Sequence, residues 1–453
     1  MHNHRILVNK FGGKTIDDVN KVRKACENVS SQVERGCKVV SVASARAGVT
    51  DLLLELIQAA VKGKKHLIRD TIEKIEEEHK DSKALFQETI LLQLLDKLEI
   101  ISKRPDKQLL NEVKVIGEII SSEILHNALI KKGVKVYLKR FQDYNYPSQV
   151  ITENSGWKID SEKTKRGCLQ LEREFDLFDC IILPGYAAVD PQKRQIFPLG
   201  RGGSDQVAME LSRFLDADEL WIITDTQGIM TADPDIVPNA RTVPILTVEE
   251  LLDAVSLGAK GARIGLYMPL LEHCPAETYL AHYADLNGPR TQIVRKFPER
   301  LLRKDKPVKL VAGKGEMIVY DFEGYDLIYN LPELNRLRYI FDTISSGGHR
   351  RKITFAFLET DRRAEIEEEI SKYRRKMNIK ISKPYTQAFI GVVGAGMAYR
   401  QGIVSAIGKA LSDILISVEI GVSNISSAVL INKRDYKKGM ISLHRHFIEE
   451  GEF

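Results

Sequence analysis

The sequence predicts an α/β fold: a mostly parallel sheet sandwiched by helices, followed by two small α+β modules. Three observations carry this. Through about residue 225, β-branched apolar runs alternate with helical patterns, and strands separated by helices imply a parallel sheet covered on both faces. Beyond residue 308, an order of strand, helix, strand, strand and helix occurs twice in succession. A chain of 453 residues has room for about three domains at roughly 150 residues each.

In order, Arg5–Asn9 reads as a strand, Asp17–Glu34 as a helix, Lys38–Ala43 as a strand and Asp51–Val61 as a helix. Residues 66–103 carry Lys, Glu, Leu and Ile at helical spacing, and Leu109–Lys132 repeats that character after Pro105, so a helical excursion leaves the sheet. Strands resume at Val134–Leu138, Leu177–Leu183 and Glu219–Thr224. A second region follows Pro289 and the basic stretch Arg295–Lys309, whose charge and Pro307 suit a linker. It holds Lys309–Ala312, Met317–Tyr320, Asn335–Thr343, Lys352–Leu358 and Ala364–Lys376, then Phe389–Val393, Ile403–Ser412, Ile416–Ile420, Ser426–Ile431 and Asp435–Phe447.

Composition excludes several function classes. Lys and Arg total 67 against 62 Asp and Glu, a net +5 with no dominant basic tract, which argues against nucleic acid as the partner. No apolar run approaches the ~20 residues of a membrane helix, and no signal segment opens the chain, so no membrane partner and a cytoplasmic location are expected. Five cysteines, Cys26, Cys37, Cys168, Cys180 and Cys274, form no CxxC pair, so free thiols are expected and no metal site.

Three loops follow predicted strands. In Asn9-Lys10-Phe11-Gly12-Gly13-Lys14-Thr15, two glycines let the backbone turn and approach a ligand, and Lys10 supplies a cation for a transferring phosphoryl group. The spacing is not GxxxxGK[ST], and Gly-Gly after a strand is by itself an ordinary turn. Leu199-Gly200-Arg201-Gly202-Gly203-Ser204-Asp205 sets an arginine among glycines, a clamp for carboxylate or phosphate, and ends at a helix start where Ser204 and Asp205 also suit a cap. The stretch from Ile223 to Pro234 contains Thr224, Asp225, Gly228 and Met230. It leaves a strand at the edge where parallel sheets bind ligands, so Asp225 reaches toward a nucleotide or its metal, although turn chemistry also explains Gly228 and Asp233-Pro234.

The ordered set Lys10-Phe11-Gly12-Gly13, Ser44-Ala45-Arg46-Ala47-Gly48-Val49-Thr50, Gly117-Glu118, Leu199–Asp205, Thr224-Asp225, Thr231–Pro234 and Ser256-Leu257-Gly258-Ala259-Lys260 resembles the aspartate kinases of the amino-acid-kinase superfamily over nearly the whole chain. Phe389–Met397 and Ser423-Asn424-Ile425-Ser426 look like the second of that family's tandem ACT domains. The resemblance implies a catalytic domain over 1–295, a divergent ACT-like module over 308–383 and a second over 384–453. It also implies ATP-dependent phosphorylation of the L-aspartate side chain to 4-phospho-L-aspartate, with Mg2+ carried by the nucleotide. Lys10 and Asp205 then take catalytic roles, and Ser44, Thr50, Glu118, Arg201 and Ser204 bind aspartate. Lys10, Gly12, Gly13, Thr224, Asp225, Met230 and Lys260 bind nucleotide. An amino-acid effector at the ACT-like modules and a homodimer or higher homo-oligomer are implied as partners.

The sequence departs from the family pattern at Lys14, where Ser or Thr is usual, at Met230 for Tyr, and at Asp235 for Arg. Gly261-Ala262-Arg263-Ile264 replaces a Leu-His-Pro segment, and Tyr325–Asn335 replaces the Pro-Gly turn of the first module. These departures leave two other readings open: a catalytically weak regulatory paralogue, and a kinase for another carboxylate-bearing amino acid.

Overall fold

The computed structural model describes residues 4–451 apart from 86–88, 144–145, 148–149, 154–155, 191–192, 194, 201, 260–268, 273, 276, 298–305, 325–340, 348–349, 359–365, 369, 373–379 and 421–423. The chain divides into two compact units. One comprises Met1–Ile229, Pro244–Val248 and Arg263–Arg295, and the other Met230–Val243, Glu249–Ala262 and Lys296–Phe453.

The first unit opens with β1 (Ile6–Phe11), α1 (Val19–Glu34), β2 (Lys38–Ala43) and α2 (Val49–Val61). The helical excursion follows as α3 (Lys65–His79), α4 (Thr89–Lys103), α5 (Lys107–Lys114) and α6 (Ile116–Lys131). Next come β3 (Val136–Leu138), the β4–β5 pair (Val150–Glu153, Gly156–Ile159), α7 (Ser161–Arg173) and β6 (Cys180–Pro184). The β7–β8 pair (Ala187–Asp190, Gln195–Pro198), α8 (Gly203–Phe214), β9 (Glu219–Thr224), β10 (Ile245–Thr247), β11 (Glu277–His282) and β12 (Arg290–Val294) complete it.

Eight strands form one sheet in the order β10-β12-β11-β9-β1-β2-β6-β3. All its pairings are parallel except β11 with β12. The side chains of β6 are buried throughout, as a two-face-covered parallel strand requires. Asp18 caps α1 by accepting from the backbone of Asn20 and Lys21, and Asp106 and Asp160 cap α5 and α7. The caps place the starts of α1 and α5 two residues from their sequence estimates, whereas α7 has no counterpart among the expected helices. Asn9 and Gln32 exchange buried amide hydrogen bonds that fasten α1 beneath β1.

Periodicity locates β1, β2, β3, β6 and β9 but not β10, β11 and β12, and the second region's predicted start after Pro289 falls just before β12 of the first sheet. β10 has only three residues, and β11 and β12 carry polar residues such as Glu277, His282, Arg290 and Gln292, which hide the strand period.

The second unit includes α9 (Val248–Leu257) from Glu249 onward. Its sheet runs β14-β15-β13-β17-β19-β18, with β16 also on β13, and every pairing is antiparallel. The strands are β13 (Leu310–Gly324), β14 (Phe341–Gly347), β15 (Arg350–Leu358), β16 (Lys380–Ile381), β17 (Tyr385–Val393), β18 (Ile416–Ile420) and β19 (Ser426–Ile431). Among the described residues, α10 (Ile403–Ala410) and α11 (Tyr436–His444) pack on this sheet's core. The expected strands Lys309–Ala312 and Met317–Tyr320 are one strand, β13, whose register on β17 shifts between Lys314 and Met317. Because β13 lies beside β17, the two strand–helix units are stitched into a single sheet.

Lys309, expected in a solvated linker, is instead buried with its ammonium 3.1 Å from the fully buried carboxylate of Glu250 on α9, which also accepts from the backbone of Ala395. All five cysteines are free thiols, and burial pushes those of Cys26 and Cys180 up to about 12. No described helix is long and apolar enough to cross a membrane.

Candidate active site

The first unit gathers most of the sequence-predicted residues at the carboxyl ends of β1, β2, β6 and β9. Lys10 is the penultimate residue of β1, in register with Val42 and Ile222. Its ammonium lies 2.9 Å from Asp205 Oδ1, and both side chains are about nine-tenths buried. Asp205 stands in the first turn of α8. Gly200 and Gly202 ahead of that turn adopt φ of 84° and 87°, which an L side chain resists. Gly203 has a different reason: a Cβ there would lie 2.7 Å from the carbonyl oxygen of Tyr186. Ser204 packs against Gly185, where a Cβ would fall 2.6 Å from the Ser204 hydroxyl.

Gly12 and Gly13 do not take left-handed conformations. Gly12 is extended, and its N–H donates to the carbonyl of Ile223 at 3.2 Å. Gly13 is required by proximity, because a Cβ would sit 2.4 Å from the Ala45 carbonyl oxygen. The expectation of a sharp glycine-dependent turn is therefore corrected to one of close backbone approach between the β1 and β2 loops. Ser44 follows β2, half-buried, and its N–H donates to Phe11. Thr50 is the second residue of α2, whose N-cap Gly48 has φ of 82°.

Glu118 lies in the first turn of α6 and is 3% exposed. Its approach to the β2 loop depends on Gly117, where a Cβ would fall 2.6 Å from the Ala45 methyl. Burial pushes the Glu118 carboxyl up to about 8, against the opposing hydrogen bonds from the backbone of Ala45 and of Glu118 itself. One of its oxygens, Oε2, has no hydrogen-bond partner. A buried carboxyl of this kind offers an unmet acceptor to a cationic group.

Thr224 ends β9 and Asp225 follows it. The Thr224 hydroxyl donates to Asp225 Oδ1 at 3.2 Å, and Lys14 reaches Asp225 Oδ2 at 2.9 Å. Burial alone would raise the Asp225 carboxyl, but the hydrogen bonds from Lys14 and the backbone hold it below its ordinary value.

Met230 belongs to the second unit, where it pairs with Thr242 in an isolated bridge and receives a weak hydroxyl contact from it at 3.9 Å. Arg201 and Lys260 lie outside the described residues, as does Arg263. Among the described residues no group of three or more His, Cys, Asp or Glu is placed to hold a metal. Asp205 and Asp225 are each tied to a lysine.

Two residues of the site escape sequence reasoning. Arg46 is 1% exposed and bonds Asp81 at 2.8 Å, the Ser82 hydroxyl at 2.6 Å and the Glu78 carbonyl at 2.5 Å, anchoring the loop that carries Ser44 and Thr50. Tyr186 holds φ of 67° immediately after Gly185, and its carbonyl accepts from Leu199 at the start of the Arg201 loop. An arginine between two alanines was a visible signal for the first, whereas the backbone strain at Tyr186 leaves no mark in the sequence.

The amino acid kinase family matches residues 5–276. The chain is 25% identical over 460 residues to an aspartokinase of Mycolicibacterium smegmatis, covering 98% of this chain and 96% of that protein. It is 24% identical over 469 residues to an aspartate kinase of Pseudomonas putida, covering 98% and 97%. Among solved structures it is similar to E. coli aspartokinase III in complex with aspartate and ADP, with TM-score 0.78, 18% identity and coverage of 97% and 99%. The aspartate kinase of Clostridium acetobutylicum aligns with TM-score 0.75, 20% identity and coverage of 97% and 100%.

Proposed function

The chain belongs to the amino acid kinase family, and from that premise we propose that it is an aspartate kinase, transferring the γ-phosphoryl group of ATP to the side-chain carboxylate of L-aspartate. The observation that carries the reading is the buried Lys10–Asp205 pair at the carboxyl edge of the sheet, within the same loop cluster as the buried Glu118. A carboxylate oxygen of aspartate attacks the γ-phosphorus, the bond to the β–γ bridging oxygen breaks, and ADP leaves with that electron pair. Lys10 offsets the charge on the phosphoryl oxygens, and Asp205 holds the ammonium in position. Such catalysis is positioning plus preorganised electrostatics.

Glu118 accepts from the substrate ammonium, and Arg201 grips the α-carboxylate as a fork. Ser44, Thr50 and Ser204 supply hydroxyls on the aspartate side. Gly12, Gly13, Thr224, Asp225, Met230 and Lys260 serve the nucleotide, whose Mg2+ screens the phosphates. Residues 308–383 and 384–453 act as two ACT-like regulatory modules for an amino-acid effector. A homodimer through them and a cytoplasmic location complete the reading.

A hydroxamate assay with aspartate, ATP and magnesium tests it: product is expected to form and to vanish in Asp205→Ala. Absence of product at high enzyme, with neither substrate bound in titration calorimetry, overturns it. Turnover of another carboxylate amino acid in place of aspartate would correct the substrate.

A further inference from the structure

Two lysine–aspartate pairs bracket the Gly12-Gly13 turn. The Lys10 ammonium lies 3.6 Å from where a Gly12 Cβ would be, and is paired with Asp205. Lys14, on the far side of the turn, is paired with Asp225 at the same 2.9 Å separation. The side chain of Thr15 is turned inward, fully buried, with its hydroxyl donating to the Gly12 carbonyl at 2.7 Å. From Gly12 to Thr15, Lys14 alone extends a side chain to solvent, at 68% exposure.

We propose that Lys14 is a phosphate-binding residue held in reserve by Asp225: when the nucleotide enters, its ammonium leaves Asp225 and pairs with the phosphate chain. The inference rests on the nucleotide site proposed above and assigns a role to a cation that site does not use. Three physical points support it. An exposed ion pair contributes little, because solvent screens both charges, so Asp225 gives up Lys14 at little cost. A phosphate chain carries several charges and offers more acceptors than one carboxylate, so the exchange favours the nucleotide. Lysine, a point charge on a flexible four-carbon stem, can swing between two anions without moving the backbone.

The test is titration calorimetry of the full-length chain with adenosine, ADP and ATP in excess magnesium, comparing wild type, Lys14→Thr and Lys14→Arg. In Lys14→Thr, ATP affinity is expected to fall about tenfold, and adenosine affinity to stay unchanged. Lys14→Arg is expected to recover most of the loss, and the ATP difference is expected to shrink in about 0.5 M salt. Equal ATP affinity in wild type and Lys14→Thr overturns the proposal, as does an equal loss for adenosine and ATP, which marks a merely structural pair. If the wild type binds no nucleotide, the aspartate kinase reading falls together with it; failure confined to Lys14→Thr leaves that reading intact.

Discussion

Lys10 and Asp205 stand 2.9 Å apart with about a tenth of each side chain exposed, whereas Lys14 and Asp225 stand equally close with 68% and 38% exposed. The same chemistry at the same distance thus occupies the floor of the site and its rim. On the floor, water is largely excluded, each charge depends on its partner, and the field acting on a bound phosphoryl group is weakly screened. At the rim, solvent screens both charges, so the pair is cheap to open and contributes little to the fold. Burial, more than distance, decides which pair performs chemistry and which is exchangeable.

The strongest way to break this comparison is at the floor. Lys10→Ala and Asp205→Ala are each expected to lower kcat by about 10³-fold, as loss of a preorganised charge-stabilising group does, with substrate binding much less affected. Steady-state kinetics of the purified variants measure it. A loss no greater than tenfold for either would put floor and rim on a par.

The second unit supplies a buried pair of its own as a control. Lys309 and Glu250 form a buried pair at 3.1 Å with 7% and 0% exposure. If burial is what matters, Glu250→Ala should destabilise the second unit by about 3–5 kcal/mol, because it removes the carboxylate that faces a buried ammonium. Urea unfolding monitored on the full chain measures this. Glu250→Leu combined with Lys309→Met should recover most of it, since a buried ion pair is often replaceable by packed apolar groups.

Glu118 sharpens the comparison through pH. Its carboxyl is near 8 in the folded chain, against an ordinary value near 4.5. Between those values the unfolded chain has lost this proton and the folded chain keeps it, so stability is full below about 4.5 and falls as pH rises to about 8. The difference sets an upper scale of about 5 kcal/mol across that window. Glu118→Gln should flatten the corresponding slope in thermal unfolding and raise the melting temperature at pH 8. Its cost is in binding. Only the ionised carboxylate receives the substrate ammonium, so aspartate affinity in the wild type should rise nearly tenfold per pH unit from 6 to 8 and then level. In Glu118→Gln the affinity should be about 100-fold weaker at pH 8 and lose that pH dependence. A wild-type affinity flat across this range would remove Glu118 from the substrate side.

The contrast also explains how much was legible in the sequence. Residues whose role is fixed by close backbone packing travel in motifs: Gly13 against Ala45, Gly117 against Ala45 and Gly203 against Tyr186 each leave no room for a Cβ. Their neighbours Lys10, Glu118 and Asp205 were singled out through the family resemblance those motifs carry, and the aliphatic strands of the central parallel sheet stood out beside them. What stayed hidden depends on tertiary partners. The burial of Arg46 shows only once Asp81 and Ser82 bond it, and Lys309 reads as part of a linker until Glu250 meets it. The polar strands β11 and β12 show no clean alternation, and β13 conceals its continuity behind Gly313 and Gly315, both pressed against Tyr436.

The smallest expected effect lies at the rim, and its smallness is the informative part. Asp225→Asn and Lys14→Thr should each change the unfolding free energy by less than about 1 kcal/mol, and the difference should fade further as salt is raised. Burial of Asp225 is partial and Lys14 is mostly solvated, so neither variant strands a charge in a dry environment. Paired melting curves of both variants at low and high ionic strength measure this. A loss of several kcal/mol would mean that the rim pair holds the Gly12-Gly13 turn in place, making the two pairs alike in structural weight despite their different exposure. A near-zero change would leave Lys14 bound loosely enough to exchange one anion for another.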